Sequence, residues 1–326
     1  MRYATFIKFS IVFTLCVIIM GAWTRLADAG LGCPDWPGCY GEWIVPHAEE
    51  AVDEKHYLEQ RPLEPHKGWL EMIHRYVAGI LGLLILAITV WSWRRRSSDP
   101  NQPVVLPTLL LGVVVFQAAL GMWTVTLLLK PLVVMGHLLG GFTTLSLLFL
   151  LLLIATDRRS TIVNTSFKPW AMLGLIILIM QIALGGWTST NYAALACTDF
   201  PTCHGVWMPE TDFSEAFVMW RGIGVNYEFG VLEHPARTAI HLTHRIGALI
   251  TFGYLLGLAV AMIKQGGMLA TASKVMLVLL FTQVALGISN VVFHLPLTVA
   301  VLHNLVAALL LLSVIYVNYV LWRRQY

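Results

Sequence analysis

The 326-residue sequence has little charge, because only 12% of its residues are Asp, Glu, Lys or Arg, against roughly 25% in an average soluble domain. Hydrophobic residues make up 57% of the chain, and the mean hydropathy is +0.72. So few charged residues exclude a soluble globular protein. The net charge of +3 is small, and nothing in its distribution indicates a nucleic-acid partner, so we predict none.

Long apolar runs dominate the rest of the sequence. A run of about 20 such residues crosses a bilayer as a helix, and we find eight candidates, near residues 3–24, 68–93, 105–128, 132–156, 169–190, 237–263, 273–294 and 297–322. The sequence therefore predicts an all-α polytopic membrane protein with eight transmembrane helices in contact with lipid.

Acidic residues are scarce at both chain ends and in the loops that follow the second, fourth and sixth apolar runs. Only Asp99 and Asp157 occur in these segments. The same segments hold 12 of the 21 basic residues: Arg2, Lys8, Arg94, Arg95, Arg96, Arg158, Arg159, Lys168, Lys264, Lys274, Arg323 and Arg324. The positive-inside rule places such segments in the cytoplasm. We expect both termini there, and the long loops near 25–67 and 191–236 on the outer side.

The N-terminus lacks an Arg- and Ser-rich transit segment, which favours a bacterial plasma (inner) membrane. The first apolar run could be a signal peptide cleaved at Ala27-Asp28-Ala29. We interpret it as a retained helix because its GAWT (21–24) recurs as GGWT (185–188).

The chain has only five cysteines. Cys16 lies in the first apolar run, where we expect an inert residue that packs against its neighbours. The other four lie in similar segments of the outer loops, LGCPDWPGCYGEW (31–43) and LACTDFPTCHGVW (195–207). Outer loops meet an oxidising compartment, so we predict two disulfides, Cys33–Cys39 and Cys197–Cys203.

Other segments recur at spacings of 164 to 170 residues. His74-Arg75 matches His244-Arg245, and QAALG (117–121) matches QVALG (283–287), with a third copy, QIALG, at 181–185. The repeats predict two tandem four-helix bundles, residues 1–160 and 161–326, related by a pseudo-twofold axis along the membrane normal.

Four of the eleven histidines lie six or seven residues past the residue that marks the outer start of a predicted helix, Lys67, Pro131, Arg237 or Pro296. They are His74, His137, His244 and His303. That spacing places each about 10 Å below the outer surface. Ionisable residues inside a bilayer are costly and usually functional, and imidazole binds haem iron. We predict two bis-histidine haem sites, His74 with His137 and His244 with His303. Packing histidines are the alternative.

The surroundings of these histidines suit a large flat ligand. Arg75 and Arg245 are candidates to bind haem propionates. Several glycines would let a macrocycle approach the helix backbone, although helix–helix contact explains them equally well: Gly79, Gly82, Gly136, Gly140, Gly141 and Gly247.

The two halves differ one helical turn before a histidine, where Glu71 precedes His74 by three residues and His241 precedes His244 by three. A buried carboxylate can stabilise positive charge or shuttle a proton, whereas an imidazole carries no fixed negative charge. We therefore predict that Glu71 is catalytic and that the first half performs the chemistry. The alternative is a carboxylate at the headgroup boundary, paired with Lys67.

In combination these motifs resemble the haem A synthase family over essentially the whole chain. The residues that carry the resemblance are GCPDWPGCYG (32–41), the E-x-x-H-R of Glu71–Arg75, GHLLGG around His137, THR around His244, and the His303 region. The resemblance implies an enzyme that converts haem O into haem A for cytochrome oxidase. It oxidises the C8 methyl group to a formyl group by successive hydroxylations, and the gem-diol loses water.

The resemblance also implies roles for single residues. His74 and His137 would face the substrate haem O, His244 and His303 would bind a resident haem b, and Glu71 would stabilise a cationic intermediate. The Cys33–Cys39 pair is either a structural brace or a redox element, whereas we expect Cys197–Cys203 to be a brace. The implied partners are haem O synthase, which would supply the substrate, and an electron donor; a homo-oligomer is compatible with the sequence.

Two other functions share some of these features. A di-haem b-type cytochrome for electron transfer would use the same four ligands but would not need the Glu71/His241 difference. A transporter built on repeats would use the histidines as gates, but the sequence has no pair of Gly/Pro-broken helices at the membrane midplane.

Overall fold

A computed structural model of the protein describes residues 2–52, 54–156 and 165–323. Within these ranges eight helices are long and apolar enough to cross a membrane, and no extended strand occurs. They are α1 Tyr3–Leu26, α2 Pro65–Arg96, α3 Val105–Thr126, α4 Pro131–Thr156, α5 Lys168–Thr190, α6 His234–Ile263, α7 Gly267–Val292 and α8 Leu297–Trp322. The predicted all-α, eight-helix membrane architecture is confirmed.

The helix ends follow local chemistry. Helices α2 and α6 begin about three residues earlier than predicted, and each has a proline in its first turn, where the missing N–H breaks no helical hydrogen bond. Helix α7 follows α6 after a short turn in which Gly266 adopts a φ of +71°, a conformation that suits glycine. Four charged residues that indicated the orientation lie outside the described residues: Asp157, Arg158, Arg159 and Arg324.

The chain divides into two compact units. The first contains Met1–Leu148 together with Met219–Val231, and the second contains Phe149–Val218 and Leu232–Tyr326. In the second unit α5 contacts α6, α6 contacts α7, α7 contacts α8 and α8 contacts α5, so these four helices close a ring. In the first unit α2 packs against both α1 and α3. The predicted division at residue 160 falls outside the described residues, and the pseudo-twofold relation stays a prediction.

Polar side chains join the helices of each unit at one end. In the first unit the hydroxyls of Tyr3 and Ser92 are 2.5 Å apart, and Gln102 Nε2 donates to Ser92 Oγ at 3.2 Å. In the second unit Asn318 Nδ2 donates to the Ala171 carbonyl at 3.0 Å. Each such bond between membrane helices is worth about 0.6 kcal/mol, so they fix the register of helices held together mainly by van der Waals contact.

Segment 219–231, from the second long loop, belongs to the first unit. The Arg61 guanidinium makes two hydrogen bonds to Glu228, at 2.9 and 2.8 Å, and this carboxylate raises the pKa of Arg61. Lys130 is buried and donates to the Gly222 carbonyl at 2.7 Å. Tyr227 packs with a buried cluster of Leu31, Val125 and Leu129. The segment is therefore held by charge, hydrogen bonds and apolar contact.

The two cysteine-containing segments fold in the same way. We call residues 33–41 the first knot and residues 197–205 the second knot. Their predicted disulfides are present, Cys33–Cys39 and Cys197–Cys203, each with an Sγ–Sγ distance of 2.03 Å. The expected packing role of Cys16 is wrong, because its side chain is exposed on α1.

An aspartate caps each knot. Asp35 accepts hydrogen bonds from the backbone N–H groups of Tyr40 and Gly41, at 2.6 and 3.1 Å. Asp199 accepts from those of His204 and Gly205, at 2.7 and 3.0 Å. Burial raises the pKa of Tyr40 to about 12, and this neutral hydroxyl donates to the Pro62 carbonyl at 2.9 Å. The capped turn is a local property of the C-x-D-x-P-x-C sequence.

Glu228→Ala should loosen segment 219–231, because it leaves the Arg61 guanidinium without its carboxylate. A charged hydrogen-bonded pair of this kind contributes about 2 kcal/mol, which corresponds to a roughly 30-fold larger open population. Trypsin cleavage after Arg221 should accelerate accordingly. Glu233→Ala is the control, since Glu233 is exposed and makes no helix-capping hydrogen bond. Equal cleavage rates in the Glu228 variant and the unaltered protein would contradict the expectation.

The second knot should keep its geometry from pH 8 down to about pH 4. Hydrogen bonds from Thr202 Oγ1 and from the Gly205 and His204 N–H groups lower the pKa of Asp199 to about 2, below its ordinary value of about 3.9. The ionised Asp199 carboxylate therefore stabilises the knot fully above its ordinary pKa, and this stabilisation is lost as the pH falls through about 2. Hydrogen–deuterium exchange at the His204 and Gly205 amides measures it.

Asp199→Ala should remove the acceptor of the His204 and Gly205 amides, so these amides should exchange faster across the whole pH range. The matched control is Asp212→Ala, which removes the cap of the short helix Phe213–Ala216 and should leave the knot amides protected. Unchanged exchange in the Asp199 variant would show that the disulfide alone holds the turn.

Candidate active site

The four intramembrane histidines occupy corresponding places on their helices. His74 and His244 are the tenth and eleventh residues of α2 and α6, and His137 and His303 are each the seventh residue of α4 and α8. His74 and His137 belong to the first compact unit, and His244 and His303 belong to the second. The pairing of these residues as haem ligands stays a prediction.

The ring nitrogens of the four histidines fit a haem-type ligand. The Nδ1 atoms of His74, His137 and His303 are buried without a hydrogen-bond partner, and an unpaired buried imidazole nitrogen in a native structure calls for an explanation such as an ion. The described residues contain no cluster of three or more His, Cys, Asp or Glu side chains that could hold a bare metal ion. A porphyrin needs only axial ligands from the protein, so two histidines per site suffice.

Each histidine ring packs against a glycine of the preceding helix. A Cβ atom at Gly21 would lie 2.9 Å from His74 Cε1, and one at Gly185 would lie 3.1 Å from His244 Cε1. At Gly121 and Gly287 the corresponding distances to His137 and His303 are 3.5 and 3.1 Å. The three closest rings, those of His74, His244 and His303, therefore need the space that glycine leaves.

Glutamines lie one turn before three of these glycines. Gln181 Nε2 is 3.0 Å from His244 Nδ1, and Gln283 Nε2 is 3.2 Å from His303 Nε2. The Gln117 amide lies over Gly140, one turn after His137. These glutamines are the first residues of the three Q-x-A-L-G segments. Sequence reasoning treated those segments only as repeats and missed the contacts, although the regular Gln-to-Gly spacing was the available signal.

The glycines expected to border a macrocycle have mixed surroundings. A Cβ at Gly79 or Gly141 would meet nothing within 4 Å, which leaves open space beside α2 and α4. The others face neighbouring side chains: Gly82 faces Val114, Gly136 faces Leu120, Gly140 faces Gln117, and Gly247 faces Gln181 and Leu184.

Glu71 is a buried carboxylate, only 5% exposed. Its Oε2 accepts from the Cys33 N–H at 2.9 Å, and its Oε1 accepts from Arg75 Nη2 at 2.5 Å. Lys67, the alternative partner, instead donates to Glu64 at 2.8 Å. Glu71 is therefore fixed between the first knot and the helix that carries His74.

Arg75 and Arg245, expected to reach haem propionates, instead hold the two knots. Arg75 donates to the carbonyls of Asp35, Pro37 and Gly38 at 3.1, 3.1 and 2.5 Å. Arg245 donates to the carbonyls of Asp199 and Thr202, at 2.8 and 2.9 Å, and to that of Cys197 at 3.4 Å. Each knot is thereby attached to the residue that follows a candidate haem ligand.

His241 is buried, and its Nδ1 is 2.9 Å from the carbonyl oxygen of Ala193. The ring therefore bonds to the loop backbone before the second knot. In the first unit the corresponding position holds a carboxylate bonded to an arginine. The two units thus have similar histidine surroundings but different charge one turn away.

Comparison with known proteins gives relatives over the whole chain. The family model described as cytochrome oxidase assembly protein matches residues 4–315. A haem A synthase of Shewanella oneidensis is 50% identical over 100% of this chain and 98% of its own length. Haem A synthases of Shouchella clausii and Neorickettsia sennetsu are each 27% identical over 95% of this chain, and over 94% and 96% of their own lengths.

The match spans all eight helices, both knots and all four histidines, as the resemblance of the motifs predicted. The chain belongs to the haem A synthase family of cytochrome oxidase assembly proteins.

Proposed function

We propose that the chain is a haem A synthase, which oxidises the C8 methyl group of haem O to a formyl group. The single observation that carries the chemistry is Glu71, a buried carboxylate fixed by the Cys33 N–H and Arg75 three residues before His74. His74 and His137 bind the substrate haem O, and His244 and His303 bind a haem b that passes electrons when bound.

The reaction removes four electrons from one carbon. Each of the two hydroxylations takes two electrons and adds one oxygen atom, and the resulting gem-diol loses water to leave the aldehyde. In each hydroxylation one atom of dioxygen enters the product, and the other is reduced to water by two electrons from the electron donor together with two protons. Glu71 stabilises the positive charge that develops at the methyl carbon, because a preorganised buried carboxylate acts strongly where water is excluded.

The Arg75 guanidinium keeps this carboxylate in place. It bonds simultaneously to Glu71 and to the backbone of the first knot, so the knot and the carboxylate form one rigid unit with α2. In the second unit His241 bonds to a backbone carbonyl and supplies no fixed negative charge. This difference supports chemistry at the first pair of histidines and electron transfer at the second.

The membrane assignment is part of the proposal. We place the protein in a bacterial inner membrane, with both termini in the cytoplasm and the disulfide-bonded knots on the oxidising side. Haem O arrives from the enzyme that makes it, and an electron-transfer partner in the membrane completes the reaction.

Glu71→Gln should lower haem A formation roughly 100-fold, the usual loss when one electrostatic contact to a transition state is removed. It removes the charge and keeps the side-chain size. The measurement is the ratio of haem A to haem O in pigments extracted from cells that supply haem O, together with the haem b spectrum of the purified protein. Glu64→Gln is the control, because Glu64 is a partly exposed carboxylate paired with Lys67.

Haem A at the unaltered level in the Glu71 variant would refute the catalytic role. Bound haem b with reversible reduction but no haem A from the unaltered protein would instead identify a di-haem cytochrome. A protein that binds no haem at all would exclude both functions.

Cys33→Ala should reduce haem A formation more than Cys197→Ala does. The first disulfide fixes the backbone whose N–H and carbonyl groups hold Glu71 and Arg75, whereas the second knot bonds to Arg245 and no catalytic carboxylate. Pigment ratios measure activity, and thermal unfolding of both variants shows that the fold is retained. Equal losses in the two variants would indicate that both knots are only braces.

A further inference from the structure

A surface cavity of about 500 Å³ lies beside the last turns of α2. Arg94, one of its lining residues, follows His74 by 20 residues, which is about 30 Å along a helix. The cavity is therefore separate from the candidate haem site of the first unit. Six residues of α2 and of the turn after it line the cavity: Ala87, Val90, Trp91, Arg94, Arg95 and Ser98.

The lining changes from apolar to cationic along the helix. Its three apolar residues come first, and the two arginines follow about one turn later. Trp91 forms a fixed wall, because its ring packs against Tyr3 and Phe6 of α1 with centroid distances of 5.7 and 5.9 Å. A ligand that matches this lining has an apolar part that lies toward the middle of the membrane and an anionic part at the membrane edge.

The two arginines of the cavity have no carboxylate partner. None of the ion pairs among the described residues includes either of them. The Arg95 guanidinium lies 5.9 Å from the centroid of the Tyr3 ring, whereas Arg94 makes no hydrogen bond, ion pair or ring contact with any residue that the structure describes. Asp99 accepts instead from the Asn101 N–H at 3.1 Å. Two adjacent cations repel each other, and an anion bound between them relieves that repulsion.

Orientation in the membrane is the other role of arginines at a helix end. The positive-inside rule requires basic residues near this end but no cavity and no particular arrangement. Helix α6 carries Lys264 at the position that corresponds to Arg94, 170 residues later, and the next two residues are Gln265 and Gly266. The arginine pair is therefore particular to the first unit, and Lys264 offers a matched control.

We propose that this cavity binds one anionic phospholipid. The lipid phosphate lies between Arg94 and Arg95, whose planar guanidinium groups can each donate two hydrogen bonds to it. One acyl chain follows the apolar lining past Trp91, and the polar headgroup reaches the Ser98 hydroxyl. Basic pockets at the ends of membrane helices bind such headgroups. Because Trp91 packs against α1, the bound lipid stabilises the contact between α1 and α2.

The experiment measures lipid binding to the purified full-length protein in a neutral detergent. The protein is titrated with phosphatidylglycerol, and native mass spectrometry gives the affinity for the first lipid bound. Phosphatidylcholine with the same acyl chains tests the charge requirement, and glycerol 3-phosphate tests whether the chains are needed. We expect phosphatidylglycerol to bind roughly 10-fold more tightly than either, because two arginines attract a net negative headgroup.

Two variants test the two parts of the cavity separately. Arg94→Gln removes one cation and should weaken phosphatidylglycerol binding roughly 10-fold, the usual effect of losing a hydrogen bond to a charged group. Ala87→Phe places a ring in the apolar part without changing the charge and should weaken binding by a similar factor. Ala87 is exposed, so the larger side chain does not disturb the packing of α2.

Lys264→Gln is the control, because it removes the corresponding cation of the second unit and should leave the affinity unchanged. Thermal unfolding without added lipid checks that each variant is folded. Equal affinities for phosphatidylglycerol and phosphatidylcholine, or unaltered binding in the Arg94 or Ala87 variant, would overturn the inference. Glycerol 3-phosphate bound as tightly as the lipid would also overturn it, as would an equal loss in the Lys264 variant, which indicates attraction by charge alone.

Discussion

The hydrocarbon core of a membrane offers no water to a buried polar group, so each such group in the eight helices depends on a partner within the protein. This constraint explains the surroundings of the candidate site. Glu71 takes a backbone N–H from the first knot and a guanidinium from its own helix. His241 takes a loop carbonyl, and His244 takes a glutamine amide. The buried nitrogens left without partners include the Nδ1 atoms of three histidines of the candidate haem pairs, His74, His137 and His303.

The knots extend this arrangement from the loops into the helices. Each is closed by a disulfide, capped by an aspartate and bonded to the arginine that follows a histidine, Arg75 or Arg245. Glu71 itself lies on α2, and its partner, the Cys33 N–H, lies on a loop; loops move more than the elements that they connect. Cross-linking that loop and bonding it to α2 holds the partner in place, which the proposed electrostatic role of Glu71 requires. The same construction in the second unit has no carboxylate to hold.

Much of the fold and of the candidate site could be predicted from the sequence, because the signals are local. The apolar runs are long enough to name eight helices within a few residues. The short Cys spacing identified both disulfides, and the place of His74, His137, His244 and His303 along their runs predicts the two pairs. The Glu71/His241 difference was visible at a fixed offset from the ligands. The packing role of Cys16 failed, because composition does not say which face of an apolar helix meets lipid.

The sequence by itself determined the helices, the disulfides, the places of the four histidines along their helices and the family, since each depends on residues within one segment or on a repeat of it. Only the tertiary structure decided which groups those residues meet. Gln181 and His244 are separated by 63 residues, and Arg61 and Glu228 by 167. Such contacts depend on how helices and loops pack, and no local pattern encodes them. Packing therefore assigned Arg75 to the first knot and segment 219–231 to the first unit.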